Sequence, residues 1–275
     1  GSNRTNHRTG GKNMTRFSLS KDYIYTGSLI LVNGEYGFVG KAAEELVPIQ
    51  EQLSSIKIQR RAAVLLSNLM DDIHGWKSII PVSGWRSFKE QQDIWDNTRK
   101  ESGLEFTRKY VAVPGHSEHQ TGLAIDLGLK QDNIDFICPE FPYSGICQTF
   151  RNRAAEYGFI ERYPAGKEHI TGIGHEPWHF RYVGVPHAEI MSKNQLTLEE
   201  YIFFIKQFPY RQKTYGVLLG EQEMHVSYLK ADPSSNTELE MDGCIPYSIS
   251  GNNTDGFIMT EWKQRNGCKA ELQRA

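Results

Sequence analysis

No stretch of this chain approaches the roughly 20 consecutive apolar residues that a membrane-spanning helix needs. The longest apolar clusters, around Leu29 to Val32 and Ile202 to Ile205, are the size of a strand or half a helix, so no membrane span is expected. Long basic runs are missing as well. The 31 Lys and Arg residues are offset by 33 Asp and Glu residues for a formal net charge of −2. Binding driven by counterion release from a phosphate backbone has no basic surface to work with, and nucleic acid is not an expected partner. Cysteine is scarce: Cys138, Cys147, Cys244 and Cys268 stand at wide, irregular spacing that fits neither a zinc finger nor a redox pair. A chain of this size needs no disulfide staples, so reduced thiols are expected, with a Cys138–Cys147 bridge as the alternative in an oxidising compartment. No charged-then-apolar secretion signal follows Met14, which makes the cytoplasm the expected location. Repeats and low-complexity tracts are lacking too.

What is present is an ordinary globular composition, 39% hydrophobic and 23% charged over 275 residues. That suffices for one sizeable core and a small appendage. Gly1 to Asn13 is polar and reads as a tag remnant ahead of a natural start at Met14. The segment Tyr23 to Val39 reads as a hairpin turned by Asn33-Gly34. Apolar residues recur at helical spacing from Ile58 to Ile73, a short strand is expected at Ile79 to Ser83, and Ser87 with Glu90 forms a capping box opening a helix towards Gly103. A strand at Leu123 to Leu129 and a helix at Ile146 to Tyr157, stopped by Gly158, come next. A second β region covers Phe159 to Arg162 and Trp178 to Val183. Two helices follow Pro186, the second opened by Thr197 and Glu200 and closed before Pro209. Strands and helices mix without a regular βαβ rhythm, which predicts an α+β fold with an antiparallel sheet. From Tyr210 onward short apolar runs such as Tyr215 to Leu219 and Phe257 to Trp262 alternate with turns. The boundaries expected are a main domain at 14–209 and a β-rich appendage at 210–275.

Two clusters can carry chemistry: Ser117-Glu118-His119-Gln120-Thr121-Gly122-Leu123-Ala124-Ile125-Asp126 and His175-Glu176-Pro177-Trp178-His179. Together they hold enough ligands for a catalytic zinc, which takes three N or O donors and leaves a fourth position for water. A neighbouring carboxylate then has to move the proton. The second cluster matches H-E-x-x-H, the helical pattern in which both histidines ligate. Pro177 sits inside the supposed turn, however, and Trp178 to Val183 reads as extended. In an extended segment His175 and His179 lie about 13 Å apart, too far to share one ion. A helical site using both histidines stays open as a rival arrangement. Taken singly, His116, His169, His175 and His187 read as structural or exposed, and Trp85 and Trp178 as core or wall aromatics.

Ser117 to Asp126 fits S-x-H-x-x-G-x-A-x-D and Glu176 to His179 fits E-x-W-H. These are the two signatures of the D-alanyl-D-alanine carboxypeptidase and dipeptidase family that includes the VanX, VanY and VanXY vancomycin-resistance enzymes. The similarity runs over roughly residues 45 to 208, includes Ser83-Gly84-Trp85-Arg86-Ser87, and most resembles the bifunctional VanXY type. The resemblance implies a hedgehog/D,D-peptidase-like sheet with flanking helices around a zinc ion held by His119, Asp126 and His179. It implies Glu176 as general base, Arg86 as the stabiliser of the tetrahedral oxyanion, and Gln91 and Ser117 as substrate contacts. The implied substrates are the D-Ala-D-Ala dipeptide and the peptidoglycan precursor pentapeptide. Two rivals accompany it: an endolysin-type L-alanyl-D-glutamate peptidase with the appendage as a wall-binding module, and a non-catalytic binding protein that keeps the zinc fold. Glu176 and Arg86 beside the ligands argue for an enzyme.

Overall fold

A computed structural model of the chain describes residues 3–9, 12–40 and 45–263. It falls into two units, one of residues Leu31–Tyr201 and one assembled from Gly1–Ile30 with Ile202–Ala275. The chain starts in the second of these with β1 (Asn3–Thr9) antiparallel to β2 (Lys12–Leu19).

The larger unit opens with a two-stranded ladder, β3 (Leu46–Pro48) and β4 (Lys57–Gln59). Helix α1 (Arg60–Asp72) follows, capped by the Gln59 side chain, which accepts from Ala62 N at 3.0 Å. Ala62, Leu66 and Leu69 of the expected apolar period lie in its buried stripe, together with Ala63 and Met70. After β5 (Ile79–Ser83) comes α2 (Phe88–Tyr110), whose N-terminus carries the expected reciprocal capping box: Glu90 N donates to Ser87 Oγ at 3.0 Å and Ser87 N to Glu90 Oε2 at 2.9 Å. The unit continues through β6 (Ala124–Leu129), α3 (Gly145–Ala154), β7 (Phe159–Tyr163), the single turn α4 (Glu168–Thr171), β8 (Glu176–Tyr182) and α5 (His187–Asn194) into α6 (Leu198–Ile205), and ends within that helix at Tyr201.

Its main sheet has the order β5-β6-β8-β7, antiparallel throughout. The ladder between β6 and β8 pairs Ala124 with Arg181, Ile125 with Phe180 and Asp126 with His179. Because side chains alternate along a strand, these pairs sort onto opposite faces. The Ile125–Phe180 face is apolar: the Phe180 ring meets Phe150 of α3 at 4.9 Å and Phe141 at 5.5 Å between centroids. Burying a side chain such as Phe180 contributes roughly 1.5–3 kcal/mol. The opposite face carries Asp126, His179 and Arg181, all buried. One sheet thus supplies both a core and a polar floor.

The other unit adds β9 (Tyr215–Leu219), β10 (Gln222–Lys230), β11 (Thr237–Asp242), β12 (Tyr247–Gly251) and β13 (Gly256–Lys263). These form two sheets, ordered β1-β2-β11 and β12-β13-β10-β9. Phe17, Leu19, Leu239, Met241, Phe257 and Met259 make one buried cluster. This unit draws on both ends of the chain, joining β1 and β2 to strands β9 to β13.

Three local expectations are corrected. Tyr23 to Val39 is not a hairpin: a 3-10 turn at Lys21–Tyr25 leads into irregular chain, and Asn33 Oδ1 accepts from Glu35 N and Tyr36 N, both at 2.9 Å. Ile58 belongs to β4, not to the helix, which begins at Arg60. The helix from Ser87 does not stop at Gly103; it breaks there and resumes to Tyr110. Cys138 and Cys147 are free thiols, while Cys268 lies outside the described residues.

Candidate active site

Asp126 and His179 are cross-strand partners, so sheet register alone sets them side by side. Asp126 Oδ1 lies 3.0 Å from His179 Nδ1. His119 arrives by another route, on a 3-10 turn (Glu118–Thr121) that closes at Gly122 with φ 78, a left-handed backbone that favours glycine. That turn feeds straight into β6. Ser117 starts it, its Oγ accepting from His119 N at 3.2 Å. His119 Nε2 then sits 3.3 Å from Asp126 Oδ2, and the two imidazoles meet edge to face at 5.0 Å.

Among the described residues, one group of His, Cys, Asp or Glu side chains is placed to hold a metal ion, and it is His119, Asp126 and His179, with ligand atoms within 4.8 Å of one another. Two imidazole nitrogens and a carboxylate oxygen are the donor chemistry of a catalytic zinc site with a position left open. His119 Nδ1 is 2.7 Å from Gly84 O, which leaves its Nε2 facing the other two donors. Gly84 itself is packed against β4: a Cβ there would lie 2.4 Å from the Lys57 carbonyl oxygen.

Glu176 begins β8 and is buried, with Oε2 3.7 Å from His179 Nδ1. Burial pushes its carboxyl well above the usual carboxylate range, and the negative charges of Asp126 and Glu118 add to the shift against the pull of His179 and Arg86. Arg86, reached from β5, donates from Nε to Ser83 Oγ at 2.9 Å, from Nη1 to Gln91 Oε1 at 3.3 Å and from Nη2 to Asp126 Oδ2 at 3.1 Å. Gln91 in turn donates to Ala112 O at 2.9 Å. All seven expected residues line one cleft, together with Ile94, Ile137, Tyr163 and Trp178.

His175 stands apart. Its ring stacks on Tyr143 at 5.7 Å and its Nε2 is 2.6 Å from the Tyr143 hydroxyl, while residues 176–182 are a strand, so H-E-x-x-H has no helix to stand on here. One buried acid was not singled out. Glu118 Oε2 is 3.0 Å from His179 Nε2, and Glu118 Oε1 accepts from Arg162 Nε at 2.6 Å and Arg181 Nη1 at 2.9 Å. Burial alone would raise that carboxyl; the two guanidiniums overcome it and hold it well below the carboxylate range. Its signal was present: Arg162 and Arg181 each stand between aromatic and aliphatic neighbours of a strand, Ile160 and Tyr163 for one and Phe180 and Tyr182 for the other, where a buried cation must find an anion.

The sequence profile of the D-alanyl-D-alanine carboxypeptidase (VanY) family matches residues 55–185. The chain is 51% identical over 132 residues to the bifunctional D-Ala-D-Ala dipeptidase and D-Ala-D-Ala carboxypeptidase VanXYC of Enterococcus gallinarum, covering 48% of this chain and 70% of the relative. Its structure is similar to the crystal structure of the vancomycin-resistance D,D-dipeptidase VanXYg in complex with a D-Ala-D-Ala phosphinate analog. That match has a TM-score of 0.89 and 47% identity over 91% of this chain and 99% of the other. It is also similar, at TM-score 0.54 and 32% identity over 64% of this chain and 98% of the other, to a mutant D,D-pentapeptidase VanY of the VanB-type resistance cassette solved with Zn(II).

Proposed function

Because the chain belongs to the D-alanyl-D-alanine carboxypeptidase (VanY) family, we propose that it is a zinc D,D-peptidase of vancomycin resistance. It removes the terminal D-alanine from peptidoglycan precursors ending in D-Ala-D-Ala and hydrolyses the free dipeptide. The observation that carries this is the Glu176 carboxyl, buried 3.7 Å from the Nδ1 of a histidine that pairs with Asp126 across the sheet. The extent of the match to the bifunctional relative and to VanXYg supports both activities. Kinship with peptidases acting at D-Ala-D-Ala favours this over a wall-cleaving L-alanyl-D-glutamate peptidase or a binding protein without activity.

His119, Asp126 and His179 would hold the zinc, through Nε2, a carboxylate oxygen and Nδ1. When bound, the ion would polarise the scissile carbonyl and activate water as nucleophile. Glu176 takes the proton that the attacking water gives up and delivers it to the departing amine of D-alanine. Its raised proton affinity suits this: a carboxyl in the ordinary range would hold the proton too weakly to pass it on. Arg86 presents a permanently charged planar fork, anchored by Ser83 and Gln91, to stabilise the negative oxygen that develops. Ser117 and Gln91 line the cleft, and we assign them to substrate contact. We also place the reaction in the cytoplasm, where free thiols such as those of Cys138 and Cys147 persist.

The test is release of D-alanine from purified protein given the dipeptide and, separately, the pentapeptide precursor, with and without a chelator. Chelator-sensitive release from both is the expected result. Cleavage of intact cell walls without D-alanine release would sink the assignment.

A further inference from the structure

The seven residues assigned to the reaction leave one buried charge cluster at the site without a role. Glu118 is 1% exposed, and Arg162 and Arg181, at 0%, are the bulkiest fully buried side chains among the described residues. Both arginines converge on Glu118 Oε1, and the Arg162 fork also holds Glu199 of α6, Nη1 to Oε1 at 2.7 Å and Nη2 to Oε2 at 2.8 Å. The second Glu118 oxygen is left for one partner, His179 Nε2, at 3.0 Å.

A carboxylate clasped by two guanidiniums is an anion that can only accept. The imidazole nitrogen it meets must therefore donate, and because Nδ1 faces a second carboxylate, Asp126 Oδ1 at 3.0 Å, the ring keeps a single proton, on Nε2, when an ion takes the Nδ1 lone pair. That Nδ1 is the nitrogen facing Asp126 and Glu176. His119 solves the same problem in mirror order: Gly84 O, also an acceptor only, takes the proton of Nδ1 and frees Nε2. A neutral carbonyl is enough to fix a tautomer, so the charge on Glu118 needs a separate explanation. An anionic acceptor raises the basicity of the opposite ring nitrogen. A loose carboxylate this close to a cation would compete to ligate it. Arg162 and Arg181 prevent that by tying Oε1 down.

We propose that Glu118 is a positioning residue of the metal site, fixing the tautomer and ring orientation of His179 while Arg162 and Arg181 hold the carboxylate back from the ion. This rests on His179 being a metal ligand.

Two measurements on the full chain test it. In zinc-loaded protein labelled with 15N-histidine, long-range proton–nitrogen correlation shows which ring nitrogen of His179 is protonated. A slowly exchanging proton on Nε2, with His119 protonated on Nδ1, is expected. A proton on Nδ1 of His179, or an Nε2 proton that exchanges as fast as an exposed imidazole's, overturns the proposal. The second measurement is chelator competition on Glu118→Gln, where zinc affinity should fall about 10- to 100-fold and the absorption bands of the cobalt-substituted protein should shift. Affinity within twofold of the unchanged chain and an identical cobalt spectrum overturn it. If Glu118→Gln does not fold, the nitrogen correlations on the unchanged chain decide. Failure of the underlying metal assignment looks different, because then the unchanged chain itself takes up no zinc.

Discussion

Asp126 stands directly across the β6–β8 ladder from His179, with Oδ1 3.0 Å from Nδ1. The two donors therefore owe their closeness to strand register, whereas His119 comes from a turn and Glu176 from the first position of β8. The proposed ligand His179 and the proposed base Glu176 sit three residues apart on one strand, which makes their losses separable.

Glu176→Ala is expected to retain one equivalent of zinc and to lose activity by about 10²- to 10⁴-fold, the usual contribution of a positioned acid–base group. His179→Ala should lose both metal and activity. Metal analysis alongside the D-alanine assay distinguishes them, and near-normal turnover by Glu176→Ala would falsify the mechanism.

Arg86→Lys keeps a positive charge but cannot reach Ser83, Gln91 and Asp126 together, as the guanidinium does. We expect kcat to fall by roughly 10²- to 10³-fold with zinc content unchanged. Steady-state kinetics checks this; a rise in KM with kcat preserved would assign Arg86 to substrate binding instead.

His187 provides a pH prediction that does not involve the proposed metal ligands. It is buried on α5, its Nδ1 2.6 Å from the Tyr201 hydroxyl, and burial pushes its pKa down to about 3. The unfolded chain titrates near the ordinary histidine value, so between about pH 6.5 and 3 the unfolded state binds the extra proton. Stability contributed by the neutral ring is complete above that window and is lost as pH falls through it, at up to about 1.4 kcal/mol per pH unit. Urea melts of the unchanged chain and of His187→Gln at several pH values test this: the variant should show the shallower acid slope.

Arg162→Met removes a partner from both Glu118 and Glu199 and leaves their charges buried. Breaking a buried ion pair from one side costs about 3–5 kcal/mol, far more than loss of an exposed pair. The urea midpoint should drop accordingly. A drop no larger than that of Arg60→Met, whose ion pair with Glu45 is exposed, would contradict the account.

What the sequence made legible was what is local. Ser87 with Glu90, and Thr197 with Glu200, announce their helices because a capping box closes within one turn, and both boxes form. Pro177 was enough to turn H-E-x-x-H from a helix into a strand, and residues 176–182 are extended. Elsewhere a local signal was outcompeted. Asn33-Gly34 suits a tight hairpin, but the Asn33 side chain takes the backbone N–H groups of Glu35 and Tyr36, and the strands do not pair. Ile58 continues the helical period of α1, yet a lone apolar residue at an element's edge fits a strand equally well. Contacts between distant segments left no mark: β2 pairs with β11 from the far end of the chain, and Glu118 meets Arg162 and Arg181 only once the sheet has formed.

Ala124 is fully buried and faces Arg181 in the ladder, on the same side of β6 as Asp126. Cross-strand neighbours stand about 4.5–5.5 Å apart at Cβ, so its methyl group decides how much width is left for the guanidinium beside it. A branched side chain there would crowd Arg181 away from its acid and, through it, tilt the imidazole that the acid steadies. The alanine of S-x-H-x-x-G-x-A-x-D is thus a spacer, a single methyl making room for one of the bulkiest side chains in the core.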